Sequence, residues 1–239
     1  MLVVGFDTAT PAVSVALHDG ERVVSEAFAV DARRHGELLT PMIAKVMADA
    51  GASRGDLTAV AVGVGPGPYT GLRVGVMTAR VLGAVLGIPV HGVCSLDVIA
   101  AATSTQGPQG PQAPPGAPGA PGREFLVATD ARRREVYWAR YDAAGRRLEG
   151  PQVGRADSIA GAADLPVAGN GGQLYPEAFG EVTGPAYPDA RTLCGIVAGQ
   201  LAAPGGVPLL AVPLLAAEPL YLRHPDAREP GPPKRVTPP

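Results

Sequence analysis

Leu2-Val3-Val4-Gly5-Phe6-Asp7-Thr8-Ala9-Thr10 begins with a short apolar run that ends on an acid, and Phe125-Leu126-Val127-Ala128-Thr129-Asp130 repeats the pattern in the second half of the chain. A run this short and this apolar suits a strand buried on both faces. The segments after the two runs are also alike. After the first come Ala12–His18, Asp19-Gly20 and Glu21–Val30. Asp-Gly between two β-rich runs signals a hairpin, because glycine tolerates the positive φ of a tight turn. After the second, Arg134–Tyr141 alternates, with Val136, Trp138 and Arg140 on one face, and Asp142-Ala143-Ala144-Gly145 turns into Arg146–Gly154. Asp7 and Asp130 thus hold matching positions in two sets of three strands. The pattern predicts a duplicated α/β unit of the form βββαβα, with two similar lobes and a cleft between them.

The rest of the first unit reads as helix, strand, helix, strand. Leu38, Leu39, Met42, Ile43, Val46 and Met47 fall on one helical stripe, with Thr40 as a cap, Pro41 near the start and Gly51 at the end. Ala59–Gly65 predicts a fourth strand, Thr70–Leu86 a helix stopped by Gly87 and Pro89, and Pro89–Val93 a fifth strand. In the second half the signals are weaker: Val167–Gly172 is a strand leaving into a glycine turn, and Ala190–Leu201 a helix. Gly107, Gly110, Gly116, Gly119 and Gly122 share one three-residue phase, which Ala113 breaks. Collagen has such a composition, but this stretch is too short and interrupted for a triple helix, and reads as a flexible polyproline-like insertion. The expected organisation is therefore a first lobe over 1–103, an insertion over 104–123, a second lobe over 124–227 and a disordered Pro-rich tail over 228–239.

Composition narrows the function. The chain of 239 residues carries a net charge of −2, which does not advertise nucleic-acid binding. Its basic residues are 18 Arg and 2 Lys, Lys45 and Lys234, and neither Lys follows a glycine loop, so a phosphate-binding P-loop lysine is absent. Two cysteines, Cys94 and Cys194, without CxxC spacing argue against a disulfide framework or a zinc knuckle and fit a reducing cytosol. The first residues read as a strand rather than a signal peptide, and no apolar run reaches the roughly 20 residues of a membrane span.

Two turns are candidates for chemistry. Asp7-Thr8-Ala9-Thr10 leaves the first strand, where hydroxyls and backbone N–H groups could hold phosphate and Asp7 could hold Mg²⁺ through water; a simple tight turn explains the same residues. Gly65-Pro66-Gly67-Pro68-Tyr69-Thr70-Gly71-Leu72-Arg73-Val74-Gly75 links a buried strand to a helix, with Thr70 at the helix N-terminus where anions are favoured. The candidate phosphate turn is therefore Asp7, Thr8, Thr10, Gly65, Gly67 and Thr70. A second pattern runs down that helix. Gly71, Gly75, Ala79 and Gly83 recur every four residues, a smooth stripe on which another helix could pack, while Leu72, Val76, Val81 and Val85 are available for the sheet. Together with Leu38, Leu39, Met42, Ile43 and Val46 this stripe is the candidate partner or dimer interface. No two of His18, His35, His91 and His224 lie at i, i+3 or i, i+4, and there is no GxSxG elbow. Arg132-Arg133-Arg134, next to Asp130, reads as a solvated hairpin, with a tRNA or nucleotide contact as the alternative.

Val4–Thr10, His35-Gly36-Glu37-Leu38-Leu39, Gly65–Gly75, Asp130-Ala131-Arg132 with Glu135-Val136-Tyr137, and Pro219-Leu220-Tyr221-Leu222-Arg223 together resemble the TsaB (YeaZ) family. The Gly-Pro-Gly-x-x-Thr-Gly-x-Arg-x-Gly string is the most specific part, although Tyr69 stands where that family often has Phe. The resemblance implies an actin-like, ribonuclease-H-type fold and a part in making threonylcarbamoyladenosine beside the anticodon of tRNAs. It implies a catalytic paralogue, TsaD, whose first helix holds a metal through paired histidines. This chain keeps His35 and has Leu39 in place of the second. A non-catalytic subunit is thereby expected, pairing with TsaD or with itself through the first two helices and joined by a TsaE-like ATPase. ATP or ADP and a metal would serve the complex, with none required by this subunit; tRNA would be met indirectly, in the cytoplasm. The rival reading is an ATP-dependent small-molecule kinase of the actin-like superfamily, for which Gly169–Gly172 is the candidate adenosine contact. A third, a metal-dependent hydrolase, lacks the His pair.

Overall fold

The computed structural model describes residues 1–105, 123–202 and 212–223. The Gly107–Gly122 insertion and the Arg228–Pro239 tail lie outside these residues, as does His224.

The first sheet has five strands in the order β3-β2-β1-β4-β5. They are β1 (Val3–Asp7), β2 (Ala12–His18), β3 (Val23–Val30), β4 (Ala59–Gly63) and β5 (Val90–Val93). β1 pairs antiparallel with β2 and parallel with β4, so the hairpin comes first and the crossover second. The second sheet repeats this plan with four strands in the order β8-β7-β6-β9, namely β6 (Phe125–Asp130), β7 (Glu135–Tyr141), β8 (Arg147–Arg155) and β9 (Val167–Ala168). Again the first strand is antiparallel to its hairpin partner and parallel to the last. The two matching runs thus stand at the same place in two sheets, giving the duplicated two-lobe α/β architecture. Among the described residues no helix is long and apolar enough to cross a membrane.

Both faces of the first sheet are covered, which is why β4 is apolar throughout and β1 is apolar up to its last residue, Asp7. Val4, Phe6, Val13, Val15, Val60 and Val62 face α1 (His35–Asp49) and α2 (Tyr69–Leu86). Val3, Ala16, Ala59 and Ala61 face α3 (Ser95–Thr105) and α5 (Ala190–Ala202). Burying each large side chain contributes on the order of 1.5–3 kcal/mol. On that second face the residues are small because the helix lies close: a Cβ on Gly5 would collide with Cys194 Sγ.

Several elements differ from the sequence reading. α1 starts at His35, three residues before the predicted stripe, so Thr40 and Pro41 lie inside it and Thr40 is not its cap. Its first turn is stitched instead by the Arg34–Glu37 ion pair at 2.8 Å. α3 was not anticipated. The second lobe has no counterpart of α1: between β8 and β9 there are only short 3₁₀ turns at Ala156–Ser158 and Ala162–Asp164, and α4 (Asn170–Leu174) comes after β9, because the linking sequence is too short for an apolar stripe. α5 comes from the second half of the chain yet packs on the first sheet, so spatial lobes and sequence halves do not coincide.

α3 and a C-terminal strap join the lobes. Cys94, Leu96 and Ile99 pack against Phe125, Tyr137 and Tyr141, with Leu220 and Leu222 of the strap alongside. The Phe125 and Tyr141 rings stack with centroids 5.6 Å apart. The strap hydrogen-bonds to the first sheet, Leu215 to Gly92 in both directions and Leu220 N–H to the Val64 carbonyl at 2.8 Å. Within this core Asp97 is buried; its Oδ1 accepts the Tyr141 hydroxyl at 2.7 Å, and Arg147 Nη1 lies 3.5 Å from the same oxygen. Burial pushes the Asp97 carboxyl up, opposed by Arg147 and Tyr141. Replacing Tyr141 by Phe leaves a buried acceptor short of a donor, so Tyr141→Phe is expected to cost about 1–3 kcal/mol in urea unfolding; an unchanged midpoint would show that the contact carries no stability.

Candidate functional site

The two turns singled out in the sequence meet at the exit of β1. Asp7 is almost fully buried, and both its oxygens are engaged. Oδ1 accepts the Ala9 N–H at 2.7 Å and Oδ2 accepts the Ser95 hydroxyl at 2.6 Å, while Ser95 Oγ accepts the Gly65 N–H at 3.2 Å. Burial raises the Asp7 pKa from 3.8 to about 6 against the lowering effect of the Ser95 and Ala9 hydrogen bonds and of His35. Thr8 is equally committed. Its hydroxyl donates to the Gly71 carbonyl at 2.8 Å and accepts the Gly75 N–H at 3.0 Å, bridging an i, i+4 pair inside α2. Thr10 Oγ1 accepts the Ala12 N–H at 3.3 Å. The Thr10 carbonyl lies 2.7 Å from His35 Nε2; since a carbonyl only accepts, that nitrogen carries the proton.

The Gly65–Gly71 loop lies directly on the Asp7–Thr10 turn. A Cβ on Gly67 would run into the Ala9 carbonyl, and Gly65 has a φ of +92°, a backbone that glycine adopts without strain. Asp7, Gly65 and Gly67 are therefore packed against the protein itself rather than facing open space. Of the predicted set, Thr8, Thr10 and Thr70 border open space. They line a cavity of about 280 Å³ with Arg33, His35, Tyr69 and, from the second lobe, Arg132. Arg132–Arg134 run through left-handed backbone, with φ of 63°, 57° and 61°. Each such residue costs about 1–2 kcal/mol relative to ordinary backbone. Asp130 holds the turn, accepting the Arg132 N–H at 2.7 Å. In the second lobe, Gly169–Gly172 is buried against β6: a Cβ on Gly171 would lie 2.8 Å from the Ala128 carbonyl, and Asn170 Oδ1 accepts the Asp130 N–H at 3.1 Å.

The candidate interface residues are placed differently from expectation. Leu39, Met42 and Val46 are in the core, and Leu38 and Ile43 pack at its edge. Gly71, Gly75, Ala79 and Gly83 are buried too. Cβ atoms on Gly71 and Gly75 would meet the Thr8 carbonyl at 2.7 Å and Thr8 Oγ1 at 2.6 Å, so this small stripe exists for close approach to the lobe's own sheet and its β1 turn. Of the large residues expected on the sheet, Leu72 and Val76 are buried there, but Val81 and Val85 point outward and are 55% and 76% exposed, with Met77 at 48%. Tyr69 continues this exposed row. It stacks on Tyr221 of the strap with centroids 5.2 Å apart, and the Arg73 guanidinium lies 4.8 Å over its ring. The four-residue spacing of 77, 81 and 85 was legible; which of two such stripes faced out was not. Leu39, one turn after His35, is core. Among the described residues no three His, Cys, Asp or Glu side chains gather as metal ligands would.

Comparison with known proteins agrees with this geometry. A curated protein from Escherichia coli, the tRNA threonylcarbamoyladenosine biosynthesis protein TsaB, is 31% identical over 94% of this chain and 95% of its own length. The chain belongs to the TsaB (YeaZ) family. A family model described as TsaD, tRNA N6-adenosine threonylcarbamoyltransferase, matches residues 23–183. An uncharacterised protein of Mycobacterium tuberculosis is 42% identical over 95% of this chain and 93% of its own. Among solved structures, YeaZ from Pseudomonas aeruginosa superposes with a TM-score of 0.71 at 29% identity, covering 92% of this chain and 99% of that one. These likenesses agree with the actin-like reading of the TsaB fold.

Two consequences can be measured. Between pH 3.8 and about 6 the unfolded chain has released the Asp7 proton and the native state still holds it. Asp7's contribution is therefore present at low pH and is lost as pH rises through about 6, by about 3 kcal/mol. Urea unfolding of Asp7→Asn beside the parent is expected to show the variant gaining that much relative stability from pH 4 to pH 7; a flat difference would refute the assignment. Gly67→Ala is expected to destabilise by about 1–3 kcal/mol through overpacking, whereas Gly36→Ala on α1, with nothing within 4 Å of its Cβ, should be neutral or stabilising by thermal melting.

Proposed function

We propose that this protein is an accessory subunit in the biosynthesis of tRNA threonylcarbamoyladenosine, docking on a TsaD-type catalytic subunit and supporting its active form. The observation that carries this is the exposed apolar row Met77, Val81 and Val85 on α2, in a chain whose relatives include the E. coli protein named for that pathway. An apolar row on a helix that is otherwise packed into its lobe suits a helix–helix contact. Removal of the Val81 and Val85 side chains from water on docking would contribute about 1–2 kcal/mol each. Nucleotide and metal chemistry, and the part of a TsaE-like ATPase, fall to the partners, and tRNA is met through them in the cytoplasm. The non-catalytic reading draws support from the engaged oxygens of Asp7 and the covered glycine turns, which also weigh against a small-molecule kinase.

Gly75 is a poor place to test docking, since a side chain there would collide with Thr8. Val81→Asp and Val85→Asp are suited, because both residues are exposed and their loss should leave unfolding within about 0.5 kcal/mol of the parent. Each is expected to weaken binding to the purified catalytic partner by roughly a hundredfold in titration calorimetry and to slow tRNA modification in a reconstituted reaction. Modification that runs equally well without this chain would overturn the reading.

A further inference from the structure

The cavity between the β1 turn and the second lobe is bordered by charge of one sign. Arg33 lines it from the first lobe and Arg132 from the second, and among the described residues no Asp or Glu does. The chain as a whole has a net charge of −2, and the larger cavity beside β3 sets Glu26 and Asp189 against Arg191. Arg132 shares its charge with Asp130, 3.4 Å away behind the turn. The Arg33 side chain has no acidic partner among the described residues.

Unused donors surround the two guanidinium groups. Thr10 is 3% exposed; its Oγ1 accepts the Ala12 N–H, and its own proton has no acceptor among the described residues. The Thr70 hydroxyl has no protein partner among them either. α1 and α2 both begin at this cavity, and neither has a side-chain cap. The first backbone bonds into them come from Glu37 and Leu38 to Arg34 and from Leu72 to Pro68, so the N–H groups of Gly36, Tyr69, Thr70 and Gly71 are unmatched. Two helices of 15 and 18 residues thus turn the positive ends of their dipoles to a space that two cations already border. Donors and positive charge in this excess are offset by an anion with several acceptor oxygens. We infer that the cavity binds a phosphate group, held from both lobes at once. Arg33 and Arg132 would meet its charge, and the Thr10 and Thr70 hydroxyls with the first N–H groups of α2 would donate to its oxygens. At about 280 Å³ the cavity is at the small end for ligand sites, which suits inorganic phosphate or a small phosphate monoester. Met77, Val81 and Val85 do not line it, so failure of this inference would leave the proposed function standing.

The test is titration of the full chain with inorganic phosphate by calorimetry at constant ionic strength. A dissociation constant of about 1 mM or tighter is expected. Phosphate at about ten times that constant should raise the melting temperature by roughly 3–6 °C, and sodium chloride of the same ionic strength should not. Arg33→Gln and Arg132→Gln should each weaken binding about tenfold and together about a hundredfold. Both side chains are exposed, so melting without phosphate should be unchanged. Arg155→Gln, an exposed arginine of the second lobe outside the cavity, should bind as the parent does. Glycerol 3-phosphate distinguishes the sources: binding tighter than that of inorganic phosphate marks a monoester as the occupant, and equal or weaker binding marks the free ion. Absence of phosphate binding at about 10 mM, an affinity unchanged in the double variant, or acetate bound as tightly as phosphate would each overturn the inference.

Discussion

The hydroxyl of Thr8 lies between the carbonyl of Gly71 and the N–H of Gly75, one atom serving both as donor and acceptor to a single turn of α2. Much of the first lobe is arranged around that contact. The helix must come close enough for a hydroxyl to bridge its backbone, so the residues facing β1 are glycines. Once those small residues face inward, the large residues on the opposite side cannot, and Met77, Val81 and Val85 are left in solvent. The same hairpin carries Asp7, whose carboxylate ties Ala9 and, through Ser95, Gly65. One polar turn thereby sets the position of a helix, a loop and the start of α3.

This arrangement also decides what the β1 turn can do. An acid at the end of a first strand, opposite a glycine loop, is a layout in which phosphate could be held. Here each acceptor on Asp7 and Thr8 has a donor from the protein, and the loop occupies the gap. Leaving a buried carboxylate unpaired would be costly, so the internal hydrogen bonds stabilise a closed turn. The open remnant, between Thr10, Thr70, Arg33 and Arg132, is lined by both lobes. The large side chains that α2 leaves exposed, Met77, Val81 and Val85, are apolar.

The lobes themselves are held by elements outside the repeated pattern. α3 comes after β5 and packs against the second sheet, and the strap returns from the C-terminal side to hydrogen-bond with β4's exit and β5. The Tyr69–Tyr221 stack then places the strap at the head of the exposed α2 row. Any partner seated on that row would also border the strap, and through it the joint between the lobes.

Strand pattern, hairpin turns and the duplicated order were legible in the sequence because they depend on neighbours a few residues apart: an apolar run ending in an acid, Asp-Gly between β-rich runs, a helix closed by Gly87. Residue types at Gly65–Gly75 and Pro219–Arg223 were enough to mark the family. Tertiary structure alone decided which of two four-residue stripes on α2 faced the sheet, since Gly71-Gly75-Ala79-Gly83 and Met77-Val81-Val85 have the same period and differ only in what lies against them. It decided that Asp7 and Thr8 are saturated, because their partners Ser95, Gly71 and Gly75 are 63 to 88 residues distant. It also decided that α5 covers the first sheet, where Cys194 meets Gly5. Periodicity fixes local form; the side of an element that is buried is set by contacts between residues far apart in the chain.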